Sequence, residues 1–332
     1  MANEYTPTVN ATAQLAAAVS SAFAPPNKAD IVLSPLCSSI DASGFPSLVI
    51  KIPNPSDMTA ASSATYGTAL SSNDDLAFGT ASSMTIVEGA AARGIILDTS
   101  VSIQLPGMGS VDQLMQEGSL QQRVAVLGPE INRLAAACIE KFEADHCALT
   151  TSPSNSVGTT LTALTVEDLF SAIYTFDTLE SPTRETAFLL WPVQVRDLAT
   201  NLAVAGGGLG GAVWGNLDTS VLSAQALPAN GAKGSFLGRP VYQGSHSLRT
   251  LSDTNGNVNG MLFAVGRGDP FKPGAQYGYI CNAIRPSAAG APFVVRLIND
   301  PDQRGTKVTV VMEYNAIEFR DTMAVRIKTK AT

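Results

Sequence analysis

Gly206, Gly208 and Gly211, within LAVAGGGLGGAVWG (202–215), match the G-x-G-x-x-G spacing that lets a backbone turn approach a dinucleotide pyrophosphate. That chemistry needs a strand before the glycines and a helix after them, whose first N–H groups hold the phosphates. Here Val195, Leu198 and Leu202 precede the glycines at helical spacing, and Gly215, Asn216 and Asp218 follow almost at once. No acid stands in a strand at the distance where a ribose contact belongs. The pattern predicts a helix stop and a glycine loop, not a cofactor site.

The other chemistry-bearing groups fail on similar grounds. Asp253, Asn255 and Asn257 in DTNGNVNG (253–260) take the first three ligand positions of a calcium loop. Val258 stands where the turn glycine belongs and Ala264 where a bidentate Glu is needed, so a polar β-turn is expected. His246 lies between Ser245 and Ser247, but neighbours on a strand point to opposite faces, so no Ser-His pair is preformed. His146 sits beside Cys147 on a helix and not at metal-ligand spacing. Both histidines are expected in structural or surface roles. Arg267-Gly268-Asp269 before Pro270 marks a turn. The carboxylates are scattered, with no pair that stands out for acid–base work. No catalytic, cofactor-binding or metal-ligating residue is assigned, no cofactor is expected, and the chain is not expected to be an enzyme. Arg320, Arg326, Lys328 and Lys330 make a basic end, read as a solvated tail or as a contact with an acidic neighbour or nucleic acid.

Composition bounds what must position these groups. The chain has 332 residues, 45% of them apolar, enough for a sizeable core. Only 15% are charged, against about 25% in a typical soluble domain. Much of the surface is then covered by small residues or by other chains, which suggests an assembled subunit. The net charge of −7 argues against a protein whose main work is gripping nucleic acid. Cys37, Cys138, Cys147 and Cys281 form no C-x-x-C pair and are read as reduced thiols. No apolar run is long enough to span a membrane. Glu4 stands where a signal peptide would carry a basic residue, so the protein is expected to stay in the cell that makes it.

Along the chain, residues 1–30 read as an arm with one short helix over Thr12–Phe23. SLVIKIP (47–53) is a strand stopped by Pro53 and Pro55. Residues 56–83 are Ser-, Ala- and Thr-rich with no basic residue, and MTIVEGAAARGIILDTSVSIQL (84–105) returns to strand character. So long a weak segment between strands predicts an extended β-arm. From 111 to 149 the apolar residues Leu120, Val124, Leu127, Ile131, Leu134, Cys138 and Phe142 follow helical steps. Gly128-Pro129 predicts a kink or restart in that helix. TVEDLFSAIYTF (165–176) is a helix capped by Thr165, AFLLWP (187–192) a buried strand, and PVQVRDLATNLAV (192–204) a helix opened by Pro192. SFLGRPVYQG (235–244) is a turn with a strand, and strands follow at 260–266, 277–284, 293–299 and 307–319.

This order resembles the major capsid proteins of tailed double-stranded-DNA bacteriophages, the Hong Kong 97-type fold. GSFLGRPVYQGSHS (234–247) is similar to the family's L-G-x-P-V signature, and AFLLWPVQVRDLATNL and TVEDLFSAI resemble elements of its axial domain. The resemblance implies an α+β fold with five parts: an N-terminal arm (1–45), an extended β-arm (46–100), a peripheral domain with a spine helix (101–160), an axial domain (161–300), and C-terminal strands returning to the peripheral domain (301–332). It implies pentamers and hexamers of this chain in an icosahedral shell around double-stranded DNA that it touches only loosely. A portal and a decoration protein are further partners, and no membrane is involved. With only residues 1–45 ahead of the β-arm, scaffolding is expected from a separate protein. The location implied is the virion, assembled in the host bacterial cytoplasm. Two alternatives stand beside it: a nucleotide-dependent soluble enzyme built on the Gly206–Gly211 loop, and an encapsulin-like cellular nanocompartment shell.

Overall fold

The computed structural model describes residues 9–22, 31–45, 47–55, 78–179, 185–204, 214–215, 232–245, 257–272, 275–287 and 290–330. In chain order, the first half gives α1 (Val9–Ala22), β1 (Ser38–Asp41), β2 (Val49–Pro55), β3 (Phe78–Thr85), β4 (Val87–Leu97), α2 (Asp98–Gln104), α3 (Val111–Glu117) and α4 (Leu120–Ala148). Then come β5 (Ser156–Val157), α5 (Val166–Leu179), β6 (Thr186–Leu190), α6 (Pro192–Val204), β7 (Trp214–Gly215), β8 (Ala232–Phe236) and β9 (Arg239–Gln243). The last strands are β10 (Asn257–Ala264), β11 (Ile280–Arg285), β12 (Val294–Asp300), β13 (Gly305–Glu318) and β14 (Ala324–Lys330).

The helical stripe read from the sequence divides at a different place from the one expected. Gly118 ends α3, its N–H bonding Leu114 O at 2.9 Å, and Ser119 starts α4 with a reciprocal bond pair to Gln122. No break occurs at Pro129: α4 runs through it for 29 residues, about 44 Å at 1.5 Å per residue. Proline leaves the Ala125 carbonyl without its helical partner. Buried Val126, Leu127, Ile131 and Leu134 on both sides hold the helix to its sheet regardless. The strand expected over 84–105 also stops early. Asp98-Thr99-Ser100 opens α2 instead, as polar residues do at a helix start.

Two sheets carry the body. In the five-stranded sheet the order is β1-β11-β13-β12, with β4 also pairing β13. Val308, Val310, Met312 and Tyr314 alternate along β13 and pack with α4, α1 and the inward side of β4 into one apolar core. The seven-stranded sheet has the order β5-β14-β10-β6-β9-β8-β7. Its central strands β6 and β10 are buried at every residue. Ala187–Leu190 of β6 read as an apolar run, as strands covered on both faces do, whereas β10 buries Asn257 and Asn259 ahead of its apolar half. Leu169, Ala172 and Phe176 of α5 join this second core, and Phe170 stacks edge-on against Phe236 at 5.3 Å. The β8–β9 turn has φ of 49° at Leu237 and 77° at Gly238, the left-handed pair that matches strand twist in a tight hairpin.

Residues 301–332 do not return as one unit. β13 lies against α4, whereas β14 crosses to the seven-stranded sheet, pairing β10 from Asn257↔Lys330 to Phe263↔Ala324. The single 3-10 turn Asp321–Met323 makes that change of sheet.

Candidate functional site

The glycine pattern sits in the reverse of a cofactor setting. α6 leads into it, and Trp214–Gly215 beyond it is a short strand paired to β8, so no strand precedes the glycines and β7 follows them. Residues 205–213 themselves, His246 and residues 253–256 of the candidate calcium loop lie outside the described residues. Arg267, Gly268 and Asp269 form a turn: Arg267 pairs with Glu185 at 2.6 Å and Asp269 accepts from Phe271 N at 3.0 Å. The basic end is not a tail. Arg326, Lys328 and Lys330 alternate with buried Val325, Ile327 and Thr329 along β14, and Arg326 donates to Thr151 O at 2.8 Å. All four cysteines are free thiols and buried. Among the described residues no cluster of His, Cys, Asp and Glu could hold a metal ion, and no helix is long and apolar enough to cross a membrane.

What the structure does bring together is a buried polar seam between the two cores. Residues 32–41 form a strap: a short entry with Leu33 already in helical backbone geometry, the 3-10 turn Ser34–Leu36, and β1, which pairs in parallel with β11. Its entry would leave three backbone N–H groups without partners. Glu143 on α4 supplies them. One carboxylate oxygen accepts from Val32 N at 2.9 Å and Leu33 N at 2.6 Å, the other from Ser34 N at 3.1 Å. The glutamate is 1% exposed, and a buried carboxylate is tolerated only when so bonded.

One turn on, His146 is fully buried. Its Nδ1 lies 2.7 Å from Phe142 O and so carries the proton, which leaves Nε2 to accept from Asn282 Nδ2 at 3.3 Å. Burial holds this imidazole below its ordinary value, against the pull of the Phe142 carbonyl and of Glu143 and Asp145. Asn282, on β11 and 2% exposed, keeps an Oδ1 with no hydrogen-bond partner among the described residues. Around the seam, burial and then Glu143 push the Cys37 and Cys147 thiols well up. Sequence reasoning left His146 in a structural or surface role, and its burial decides for the first; Glu143 was missed. One signal was present: steps of four from Ile139 to Cys147 put Glu143 inside an apolar row.

The outward face of the five-stranded sheet carries exposed apolar side chains. Ile95, Lys307 and Ile298 sit side by side across β4, β13 and β12, with Ile95 37% and Ile298 42% exposed. Leu97 ends the β4 row, and Ile103 on the adjoining α2 is 80% exposed.

No protein-family profile and no curated protein matches the chain in sequence. Solved structures do match in shape. The capsid of cyanophage P-SCSP1u superposes with a TM-score of 0.52 at 13% identity, over 94% of this chain and 92% of that one. A phage-related protein from Bordetella bronchiseptica RB50 gives 0.52 at 12% identity, covering 96% of each chain. The SrpI encapsulin of Synechococcus elongatus PCC 7942 gives 0.51 at 11% identity, over 90% of this chain and 88% of that one. The likeness covers nine-tenths or more of the chain, and the chain has the α+β, Hong Kong 97-type fold of phage capsid shells.

Proposed function

We propose that this chain is the major capsid protein of a tailed phage, a subunit without enzymatic activity that builds an icosahedral shell around double-stranded DNA. The observation that carries the reading is end-to-end likeness to the P-SCSP1u capsid over more than nine-tenths of both chains. Fold alone does not assign function, so the surface has to agree. It does: Ile95, Ile298, Leu97 and Ile103 expose apolar area of the kind a subunit covers with neighbours. In this reading α4 with the five-stranded sheet is the peripheral domain, the seven-stranded sheet with α5 and α6 is the axial domain, and residues 1–45 and 46–100 are the two arms. Pentamers and hexamers form the shell, scaffolding and portal are separate proteins, and the net charge of −7 keeps contact with packaged DNA loose. Assembly takes place in the host bacterial cytoplasm and the product is the virion.

The SrpI match supports a second reading, a cellular compartment shell. Electron microscopy and sedimentation of the expressed chain, alone and with a co-expressed scaffolding protein, test both. Closed shells or capsomers are expected. Scaffold dependence favours the phage reading, and closure of the chain alone around a cellular protein favours the compartment. A strictly monomeric chain that binds NAD or ATP at micromolar concentration, with binding lost in Gly208→Val, would overturn both.

A further inference from the structure

We propose that His146 and Asn282 form a proton-operated switch for the strap: a proton taken from solvent at His146 Nε2 turns the Asn282 amide over and draws Glu143 away from the N–H groups of Val32, Leu33 and Ser34. The switch belongs to the single subunit and does not rest on the shell reading.

The geometry provides two states. With His146 neutral, Nε2 is an acceptor and Asn282 presents Nδ2 to it, which strands the buried Oδ1. A buried acceptor without a donor is destabilising, because the water it gave up is not replaced. Protonation makes Nε2 a donor, which clashes with Nδ2. Turning the amide by half a rotation then puts Oδ1 opposite Nε2–H, and the stranded acceptor gains its donor.

The charge created has one carboxylate to turn to. Glu143 and Asp145 on α4 act on the imidazole directly; beyond them, Lys141 pairs with Asp145, Tyr314 of β13 bonds Asp145, Cys147 and Cys37 of the strap interact with Glu143, and Cys281 of β11 with Cys37. Asp145 already binds Lys141 and accepts from Tyr314 at 2.7 Å. The three thiols are buried and raised above their ordinary value, so they are neutral. Glu143, three residues from His146 on the same helix, is held by backbone N–H groups alone among the bonds described. Both imidazolium N–H groups are then taken, by Phe142 O and Asn282 Oδ1, so the new charge pulls on the Glu143 carboxylate through space, in competition with the strap N–H groups, and the proton decides between them. Because burial keeps His146 neutral in the resting state, the strap is clasped at neutral pH and loosens as pH falls below the ordinary imidazole value.

Two histidines in the chain make the test clean. In protein labelled with nitrogen-15 histidine, His246→Gln identifies the His146 signals, and their titration gives its midpoint. Hydrogen exchange of peptides covering 32–41, corrected for the intrinsic pH dependence of exchange, is followed from pH 7.5 to 5. We expect a His146 midpoint below about 6.5 and a loss of strap protection of at least tenfold across the same midpoint. In His146→Gln the strap should show no pH step. The proposal is overturned if His146 titrates while the strap stays protected, if the step survives in His146→Gln, or if His146 remains neutral until the chain unfolds. Should His146→Gln fail to fold, Glu143→Gln replaces it: an uncharged amide gives an imidazolium nothing to attract, and a persisting step overturns the switch.

Discussion

The phenol of Tyr314 donates to Asp145 Oδ2 across 2.7 Å, joining the middle of β13 to the last turns of α4. Its ring also meets Phe142 edge-on at 4.7 Å. Burial and the adjoining carboxylate push the phenol up from its ordinary value, so it stays a donor throughout the neutral range. Tyr314→Phe keeps the packing and removes the bond. A loss of about 1–2 kcal/mol is expected for a hydrogen bond to a partly exposed charge. Urea denaturation measures it, and an unchanged midpoint would show that the bond contributes nothing.

Gly89 lies where β4 bulges against β13, between the pairs Ala90↔Met312 and Glu88↔Glu313. A Cβ there would stand 2.6 Å from two ring atoms of Tyr314. That ring is pinned by Phe142 and Asp145 and has no room to yield. Gly89→Ala should destabilise by about 1–3 kcal/mol, read as a lower melting temperature. In the background of Tyr314→Ala the same substitution should cost much less, and an equal cost in both would refute the steric account.

All four thiols are buried, and burial pushes Cys281 up to about 12. Thiolate is the reactive form. Native protein should therefore show no fast-reacting thiol with a disulfide reagent at pH 8, and four after denaturation. One rapidly labelled cysteine in the folded chain would contradict the packing described.

Glu318 is raised above its ordinary value by burial first and by Asp321 second. The sign follows from proton counting. The folded state holds the proton more tightly than the unfolded one, so this group's contribution is complete below about 4.5 and is lost as pH rises through the folded value. Glu318→Gln should melt like the wild type near pH 4 and above it at pH 8. A gap that narrows with rising pH would be the wrong sign.

β2 and β3 stay paired out to Pro55↔Phe78. Replacing residues 56–77 by Asn-Gly should therefore give a subunit that melts cooperatively, since that turn suits a two-residue hairpin. The shortened chain should fail to close shells. Normal shells, or an unfolded subunit, would refute the assignment of 46–100 as an assembly arm.

Local signals carried most of the fold. Thr165 and Asp168 cap α5 reciprocally, at 2.9 and 3.2 Å, as Thr165 ahead of an acidic first turn foretold. The strand expected at 307–319 is β13, and the buried strand expected in AFLLWP is β6. Where local reading went astray, tertiary contact had decided. Pro129 is tolerated because a buried stripe continues on both sides of it. The basic end reads as a tail until β10 is seen to pair with it. The seam was the least legible feature. Glu143 meets the strap across about 110 residues and His146 meets Asn282 across 136, and no window of sequence contains both partners.

The parallel pairing of β1 with β11 imposes an order on biosynthesis. Ser38 is opposite Cys281, 243 positions later. At about 5–20 residues per second the ribosome needs roughly 12–50 s to deliver that partner. Glu143 emerges in less than half that time and can hold the strap entry while β1 still waits. β14, an interior strand of the seven-stranded sheet, is made later again. A chain released before residue 324 therefore lacks the strand that joins β5 to β10, so the seven-stranded sheet can close only once synthesis is nearly finished.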